Sequence, residues 1–215
     1  MDDHAVVTST RTLVEEAMDR GDLAEAKRLL ALMESDWLGN KEYSINWIAS
    51  LLSFIGERYG EPAVEDALRD FGERFLRARR ASVADVPARK VAEAVARAMK
   101  ANGGAITRFA EDDEKFTLEF ACGSGGMLID SGAYQDDRHY LTLREPGPML
   151  GDLDAMPVYC SHCPIHNELQ PIEWTGLPTT VQFPGTKPGE RCVHHVYKDA
   201  DAIPAEVFAR AGLPR

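Results

Sequence analysis

Apolar residues recur at helical spacing through the first hundred positions of the chain. The clearest stripe is Ile45, Ile48, Leu52, Ile55 and Tyr59, which are three or four residues apart and therefore lie on one face of a helix. Comparable stripes run through residues 8–20, 22–33, 64–75 and 91–99. Amphipathic helices of this kind bury their apolar faces against one another. We therefore predict that residues 1–102 form a helical region.

The pattern changes after the Gly103-Gly104 pair, which is typical of a helix end. Residues 115–120 alternate polar and apolar side chains, as a half-buried strand does. Residues 179–183 and 191–198 are predicted to be two further strands, and the Pro- and Gly-rich stretch between them indicates a hairpin.

The remaining parts of this half carry weaker signals. Residues 130–154 lack periodicity, so we interpret them as a long loop that could close over a site. A short helix is predicted at 204–213. The expected fold class is α+β, in which the N-terminal helical bundle packs on a C-terminal α/β domain, residues 103–215, with a small, mainly antiparallel sheet.

Charge and composition narrow the range of partners. The 215 residues include 24 Lys plus Arg against 35 Asp plus Glu, a formal net charge of -11. Binding to nucleic acid needs a basic surface, so we expect no nucleic-acid partner. No apolar run approaches the roughly 20 residues that cross a bilayer, and the acidic start at Met1 does not resemble a secretory signal. We expect a cytoplasmic protein with a small-molecule substrate or ligand and no membrane partner, which could also form a homo-oligomer.

The cysteines and histidines are concentrated in two short stretches. Three of the four cysteines and four of the six histidines lie within residues 160–166 and 192–195. A reducing compartment keeps such cysteines as thiols or metal ligands rather than disulfides. Cys160 and Cys163 form a Cys-x2-Cys loop, which can place two sulfurs on one metal ion, and Cys192 can supply a third. The cofactor suggested by these ligands is zinc.

The fourth ligand decides what such a site would do. Cys122, His166, His194 and water are all candidates. Four protein ligands would make a closed structural site, whereas three ligands and a water would make a catalytic one. Thiolate-rich sites accept iron as well as zinc. The alternative without metal is a set of small buried thiols with histidines at the surface.

Cys122 has a second candidate role as a nucleophile. It is followed by Gly123, Ser124, Gly125 and Gly126, and glycines allow backbone N–H groups to converge on an anion. A thiolate at Cys122 would be exposed and activated, and these four residues could form an oxyanion hole for the negative charge that develops when it attacks a substrate. The alternative is a strand end followed by a flexible turn.

Acidic and imidazole groups follow the Cys-x2-Cys loop. Glu168 and His166 are candidates for moving a proton during catalysis, and Glu173 is a further candidate carboxylate. The alternative for each glutamate is a solvated surface position.

The layout of the chain between residues 59 and 198 is similar to two families. The stretch 189–194, Gly-Glu-Arg-Cys-Val-His, resembles the Gly-Asp-x-x-Cys-x-Phe ending of 4-vinyl-reductase-type domains, which bind small ligands and in some regulators carry zinc. Helices followed by Cys122, the pair at 160–163 and Cys192 resemble the L-2-amino-thiazoline-4-carboxylate hydrolase-like family. The second resemblance implies hydrolytic opening of a small ring that contains sulfur and nitrogen.

Three functional hypotheses follow. The first is a hydrolase that acts on a C–N or C–S bond of a small molecule, using a zinc site, Cys122 or both. The second is a non-catalytic ligand-binding or sensory module with structural zinc. The third is an iron-dependent redox protein, which ranks last because the adjacent Cys-His pair expected for covalent haem attachment is missing from the Cys-x2-Cys loop.

Overall fold

The fold is α+β, as predicted. The structure is a computed structural model that describes residues 3–80 and 86–212. Helices dominate the first hundred residues of the described chain. They are α1 (Asp3–Val7), α2 (Thr10–Asp19), α3 (Leu23–Tyr59), α4 (Glu61–Phe71), a π-helical turn (Gly72–Leu76), α5 (Arg77–Arg80) and α6 (Ala88–Ala101).

The helix α3 is longer than the sequence pattern suggested. The stripes at 22–33 and 45–59 belong to one continuous helix of 37 residues. Between them the chain has no proline and a single glycine, Gly39, which costs only about 1 kcal/mol in a helix interior. The helix ends at Gly60, whose φ of 91° is open to glycine and strained for other residues. Of the helices in the described residues, none is both long and apolar enough to cross a bilayer.

Two compact units divide the chain, Met1–Ile45 and Asn46–Arg215. The core of the first unit is a small cluster of Val14, Ala17, Ala26 and Leu29. The second unit contains the sheet and α6, so α6 belongs with the residues that follow it. The boundary predicted between residues 102 and 103 stays a prediction.

The main sheet of the second unit has four antiparallel strands in the order β1-β2-β6-β5. The strands of the described residues are β1 (Ala105–Glu111), β2 (Lys115–Ala121), β3 (Thr142–Leu143), β4 (Met156–Pro157), β5 (Val181–Phe183) and β6 (Cys192–Tyr197). The predicted β5–β6 hairpin is confirmed. The edge strand β1 escaped prediction because most of its side chains are exposed, so it lacks a clean alternation.

Several short helices complete the second unit. They are α7 (Gly125–Asp130), a 3-10 turn (Val158–Ser161), α8 (His162–Pro164), a π-helical turn (Ile165–Leu169), α9 (Gln170–Thr175), a 3-10 turn (Ala200–Ala202) and α10 (Ala205–Arg210). The predicted C-terminal helix is thus confirmed over α10.

The strand register determines which side chains share a face. Leu118 lies opposite His194, and Phe120 lies opposite Cys192. Directly opposed residues in an antiparallel pair project to the same side of the sheet. Leu118 is packed against Val91 of α6, so His194 and Cys192 lie on the face that α6 covers.

The stretch 130–154 is packed into the molecule. It contains β3, and its residues Leu143, Met149 and Leu150 are buried in a core cluster that also includes Leu52 and Ile165. The sequence suggested a loop because these apolar residues follow neither a helical nor a strand period.

Candidate functional site

The four cysteines of the chain come together in the second unit as free thiols. Cys122 follows β2, Cys160 and Cys163 lie on the helical stretch after β4, and Cys192 begins β6. The charge of Cys122 influences the ionisation of each of the other three. The structure therefore brings the cysteines of the predicted metal set and the predicted nucleophile into one cluster, which we call the thiol cluster.

Glycines allow the segments of the thiol cluster to approach closely. A Cβ atom on Gly123 would collide with the backbone of Gly103 at the end of α6. A Cβ on Gly125 would lie 2.7 Å from Sγ of Cys160, well inside the contact distance of about 3.5 Å. The Gly-rich turn after Cys122 is thus a packing requirement as well as a source of backbone donors.

The structure stabilises Cys122 as an anion. The Cys192 thiol donates a hydrogen bond to Cys122 Sγ, and the backbone N–H groups of Gly126 and Ser124 donate to the same atom. The Ser124 hydroxyl lies 3.3 Å from it. These donors outweigh the opposing effect of burial and lower the pKa of Cys122 to about 4. The thiolate form of Cys122 is therefore favoured, and two of its donors are backbone N–H groups of the Gly-rich turn.

The other three cysteines keep their protons at neutral pH. Burial raises the pKa of Cys160 and of Cys163, and the nearby Cys122 charge adds to the effect in both. The pKa of Cys192 is raised chiefly because its thiol proton is hydrogen-bonded to Cys122, and burial acts in the same direction. The thiol cluster thus consists of one thiolate and three neutral thiols.

His162 borders the thiol cluster and escaped prediction. Its Nδ1 lies 2.5 Å from the carbonyl oxygen of Tyr159 and its Nε2 lies 3.5 Å from Cys163 Sγ. A carbonyl can only accept, so the ring proton is on Nδ1 and Nε2 accepts from the Cys163 thiol. Burial lowers the pKa of His162, which favours the neutral ring. The sequence signal that could have identified His162 as a site residue is its position between Cys160 and Cys163.

His166 is directed toward α4. Its Nε2 donates to the carbonyl oxygen of Leu68 at 2.9 Å, and its ring centroid lies 5.5 Å from that of Phe71. These contacts attach the π-helical turn Ile165–Leu169 to α4. The hydrogen bond to Leu68 occupies Nε2, one of the two ring nitrogens that could serve a substrate or a metal.

The two candidate glutamates lie in different surroundings. Glu168 is fully buried, accepts a hydrogen bond from the backbone N–H of Gln182 at 2.5 Å and forms an ion pair with Arg210. Burial raises the pKa of Glu168 to about 7 against the opposing effects of both partners. Glu173 pairs with Arg69 at 2.7 Å. No local sequence signal pointed to Arg210, because the ion pair joins residues 42 positions apart.

His194 lies on the α6 side of the sheet. It is 4% exposed, and its Nδ1 lies 3.5 Å from the hydroxyl oxygen of Thr180. Burial lowers the pKa of His194 to about 3, so the ring is neutral at physiological pH. His195, the next residue along β6, projects to the opposite side.

Zinc was predicted from the types of donor atom in the thiol cluster. Thiol and imidazole groups are preferred zinc ligands. Over residues 3–80 and 86–212, however, no three His, Cys, Asp or Glu side chains form a group that could hold a metal ion. Zinc therefore stays a prediction from ligand type, and we derive no chemical step through a metal.

Comparison of the chain with family models, with curated proteins and with solved structures gives no match. The resemblance to the hydrolase-like family and to the 4-vinyl-reductase-type domains thus stays an expectation from the spacing of the cysteines. The function has to be argued from the geometry of the thiol cluster.

Proposed function

We propose that the protein is a thiol-dependent hydrolase that cleaves a C–N or C–S bond of a small molecule, with Cys122 as the nucleophile. The observation that supports this proposal is the stabilised Cys122 thiolate, which accepts hydrogen bonds from the Cys192 thiol and from two backbone N–H groups. Thiolates rather than thiols are the attacking species in cysteine catalysis. Among the cysteines of the chain, only Cys122 has a lowered pKa.

The first step forms a bond between Cys122 Sγ and an electrophilic carbon of the substrate. The electron pair of the carbon–oxygen or carbon–nitrogen double bond moves onto the heteroatom. When that pair returns, the C–N or C–S single bond breaks and the leaving group departs with the bonding electrons. Cys122 is left as a thioester or its nitrogen analogue, which carries no charge on sulfur.

Cys192 provides the proton for the leaving group. Its pKa is raised mainly by the hydrogen bond to the Cys122 anion, so the loss of that negative charge makes the Cys192 thiol more acidic. The proton can then pass to the departing amine or thiol. In the second step the Cys192 thiolate takes a proton from water, the resulting hydroxide attacks the acyl carbon, and Cys122 is released as the thiolate.

The proposal is tested by trapping the covalent intermediate. S-phenyl thioacetate offers a C–S bond beside a carbonyl, and its cleavage releases thiophenol. In samples quenched with acid during turnover, we expect the acetyl group on Cys122 by peptide mass spectrometry, and in Cys122→Ser we expect neither this adduct nor thiophenol release above the rate without protein. The matched control, Cys160→Ser, keeps the adduct because Cys160 is a buried neutral thiol. An adduct on another cysteine, or thiophenol release from the wild type no faster than from Cys122→Ser, would overturn the proposal.

The thiol cluster also supports a second proposal, a non-catalytic small-ligand-binding or sensory module that holds zinc. The specific observation is that four cysteines from three segments influence one another's ionisation, which a single nucleophile does not require. Cys122, Cys160, Cys163 and Cys192 would hold the ion as thiolates, and the ion would supply a structural cross-link between their segments. Elemental analysis tests this directly: one zinc per chain, lost in Cys163→Ser and retained in His166→Gln, would favour it over thiol catalysis.

A further inference from the structure

The part of α3 that belongs to the second unit, residues 46–59, carries apolar side chains on two opposite faces. On the inner face Ala49 and Leu52 are buried, and Leu52 belongs to the core cluster that contains Ile165. The opposite face lies at the surface of the residues that the structure describes. We call it the outer face of α3. Its large side chains are Trp47, Ile48, Leu51, Phe54 and Tyr59.

The outer face of α3 is apolar, uncharged and largely exposed. Its five large side chains are between 44% and 67% exposed. Leu51 follows Trp47 by four positions and precedes Phe54 by three, so these three side chains form one stripe along the helix. The ring of Tyr59 extends the stripe, because its centroid lies 6.3 Å from that of Phe54. Residues 46–56 contain no charged side chain. A helix that is apolar on all sides is a buried helix, and exposed patches of this kind mark interaction sites.

The charge and the spacing of the outer face favour a second copy of the same chain as its occupant. Interfaces between identical subunits are more apolar than those between transient partners, and an uncharged face gives a foreign protein no ionic group to recognise. Two copies associate most commonly about a two-fold axis, so that residue i of one copy meets residue j of the other and j meets i. In α3 the self-complementary pair is Trp47 and Phe54. When two such helices pack antiparallel with the axis beside Leu51, each Trp47 lies opposite Phe54 of the other copy.

The exposed area of the outer face is sufficient for a dimer. An aromatic side chain presents about 150–250 Å² when it is fully exposed, so five half-exposed large side chains present roughly 500 Å² per copy. Two copies would therefore bury about 1,000 Å² in total, which is the area at which specific interfaces begin. Trp and Tyr are also among the residues that contribute most to binding energy in protein interfaces.

We propose that the protein is a two-fold symmetric dimer in which the outer face of α3 in one copy packs antiparallel on the same face in the other. Leu51 lies nearest the axis and contacts its own counterpart. Trp47 and Phe54 form two equivalent contacts, one on each side of the axis. The proposal goes beyond thiol hydrolysis and does not depend on it, because the assembly can be measured without turnover.

The first test measures the mass of the full chain in solution. Sedimentation velocity at pH 7.5, over a hundredfold range of concentration that reaches about 100 μM, should give twice the chain mass of 23.8 kDa. A monomer at the highest concentration would overturn the proposal and leave the outer face to a partner of another kind.

Variants at Leu51 locate the axis. Leu51→Glu places two like charges together in an apolar interface, so the dimer should be weakened at least about a hundredfold, and Leu51→Lys should do the same. An equal mixture of the two variants should associate at least about tenfold more tightly than either alone, because a carboxylate and an ammonium group then face each other across the axis. Only a face that pairs with itself predicts this rescue. An intact dimer in Leu51→Glu, or a mixture as weak as either variant alone, would refute the interface.

Two further variants separate the interface from the fold. Trp47→Ala removes a largely exposed ring without adding a charge and should weaken the dimer about tenfold. Leu23→Glu is the matched control, because it makes the same substitution at an exposed leucine in the first turn of α3, where an acidic residue is favourable. Its dimer should be unchanged, and the circular dichroism of every variant should be that of the wild type. Dissociation in Leu23→Glu as strong as in Leu51→Glu would contradict a contact at the outer face.

Discussion

The turn that carries Cys122 and the helical stretch that carries Cys160 and Cys163 hold the same functional group in opposite ionisation states. Both segments place their thiols inside the second unit, where burial disfavours charge. The pKa of Cys122 is nevertheless lowered to about 4, whereas those of Cys160 and Cys163 are raised.

The difference lies in the donors that each segment supplies. At Cys122 a neighbouring thiol and two backbone N–H groups of the Gly-rich turn point at the sulfur. In the helical stretch, hydrogen bonds within the helix use many of the backbone N–H groups, and burial is the largest influence on both sulfurs. The comparison teaches that hydrogen-bond donors directed at the sulfur, rather than the burial of the sulfur alone, decide which cysteine is reactive.

The largest expected effect is on alkylation by iodoacetamide at pH 6. We expect Cys122 to react at least about a hundredfold faster than Cys160, because only a thiolate attacks and the pKa of Cys160 is well above its ordinary value. The rate at Cys122 should be flat between pH 6 and 8, since its ionisation is already complete. Peptide mass spectrometry of partly labelled protein measures both rates. A rate at Cys122 that rises tenfold per pH unit would show an ordinary thiol and remove the contrast.

The contact between the two segments predicts a change in stability. In Gly125→Ala the new methyl carbon would lie 2.7 Å from Cys160 Sγ, and such overpacking costs about 1–3 kcal/mol of unfolding free energy. Urea unfolding measures the loss. Gly39→Ala in α3 is the control, because a Cβ there meets nothing within 4 Å, and it should be stabilising by about 0.5–1 kcal/mol.

A second substitution assigns that loss to the sulfur. In a Cys160→Ala background the extra methyl group has room, so Gly125→Ala should cost clearly less than in the wild type. An equal cost in both backgrounds would mean that the close approach to Cys160 is not its cause.

The sequence allowed the helices, three strands of the main sheet and the clustering of the cysteines to be predicted, because each depends on a local pattern. Alternation at residues 115–120 marked β2, and Cys-x2-Cys spacing marked one pair of thiols. The protonation states could not be predicted in this way. They depend on the strand register, in which Phe120 lies opposite Cys192. This register brings Cys122, which follows β2, close to Cys192 at the start of β6.

Long-range pairs were also beyond sequence reasoning. Glu168 was a candidate proton carrier, but its partner Arg210 lies on α10, and nothing near either residue marks the pair. His194 was a candidate ligand because it follows Cys192 by two positions. A cavity beside His194 is lined partly by α6, whose apolar stripe at 91–99 indicates a buried face and cannot show that the packing leaves a gap.

Substitutions at Cys192 should change the pKa of Cys122 while leaving the Cys122 side chain itself unchanged. Cys192→Ala removes the hydrogen bond that contributes most to the low pKa of Cys122, so that pKa should rise by about one unit, equivalent to about 1.4 kcal/mol. The two backbone donors remain, and the pKa should stay below that of a free thiol. Absorbance of the thiolate in the ultraviolet, followed against pH, measures the shift. Cys192→Ser keeps a donor and should leave the pKa low; an equal rise in both variants would exclude the hydrogen bond as the cause.

The smallest expected effect concerns the pH dependence of stability, in which Cys122 and Glu168 act in opposite directions. Stability rises with pH wherever the unfolded chain binds more protons than the folded one. Cys122 has a pKa of about 4 in the folded protein and near 9 in the unfolded chain. Between these two pH values the unfolded chain binds more protons, so the contribution of Cys122 to the stability rises with pH. Glu168 has a pKa raised from 4.5 to about 7. Between these two pH values the folded protein binds more protons than the unfolded chain, so the contribution of Glu168 to the stability falls as pH rises.

Between pH 5 and 7 the two slopes should largely cancel in the wild type, and single variants should expose each of them. In Glu168→Gln the unfolding free energy should increase with pH, by up to about 1.4 kcal/mol per unit, and in Cys122→Ser it should decrease. Glutamine keeps an oxygen for the Gln182 N–H, so the fold around β5 is retained. Urea unfolding at pH 5, 6 and 7 measures the slopes. Because opposite signs in the two variants require one raised and one lowered pKa, slopes of the same sign would show that the thiol cluster and the Glu168–Arg210 pair do not differ as the structure describes.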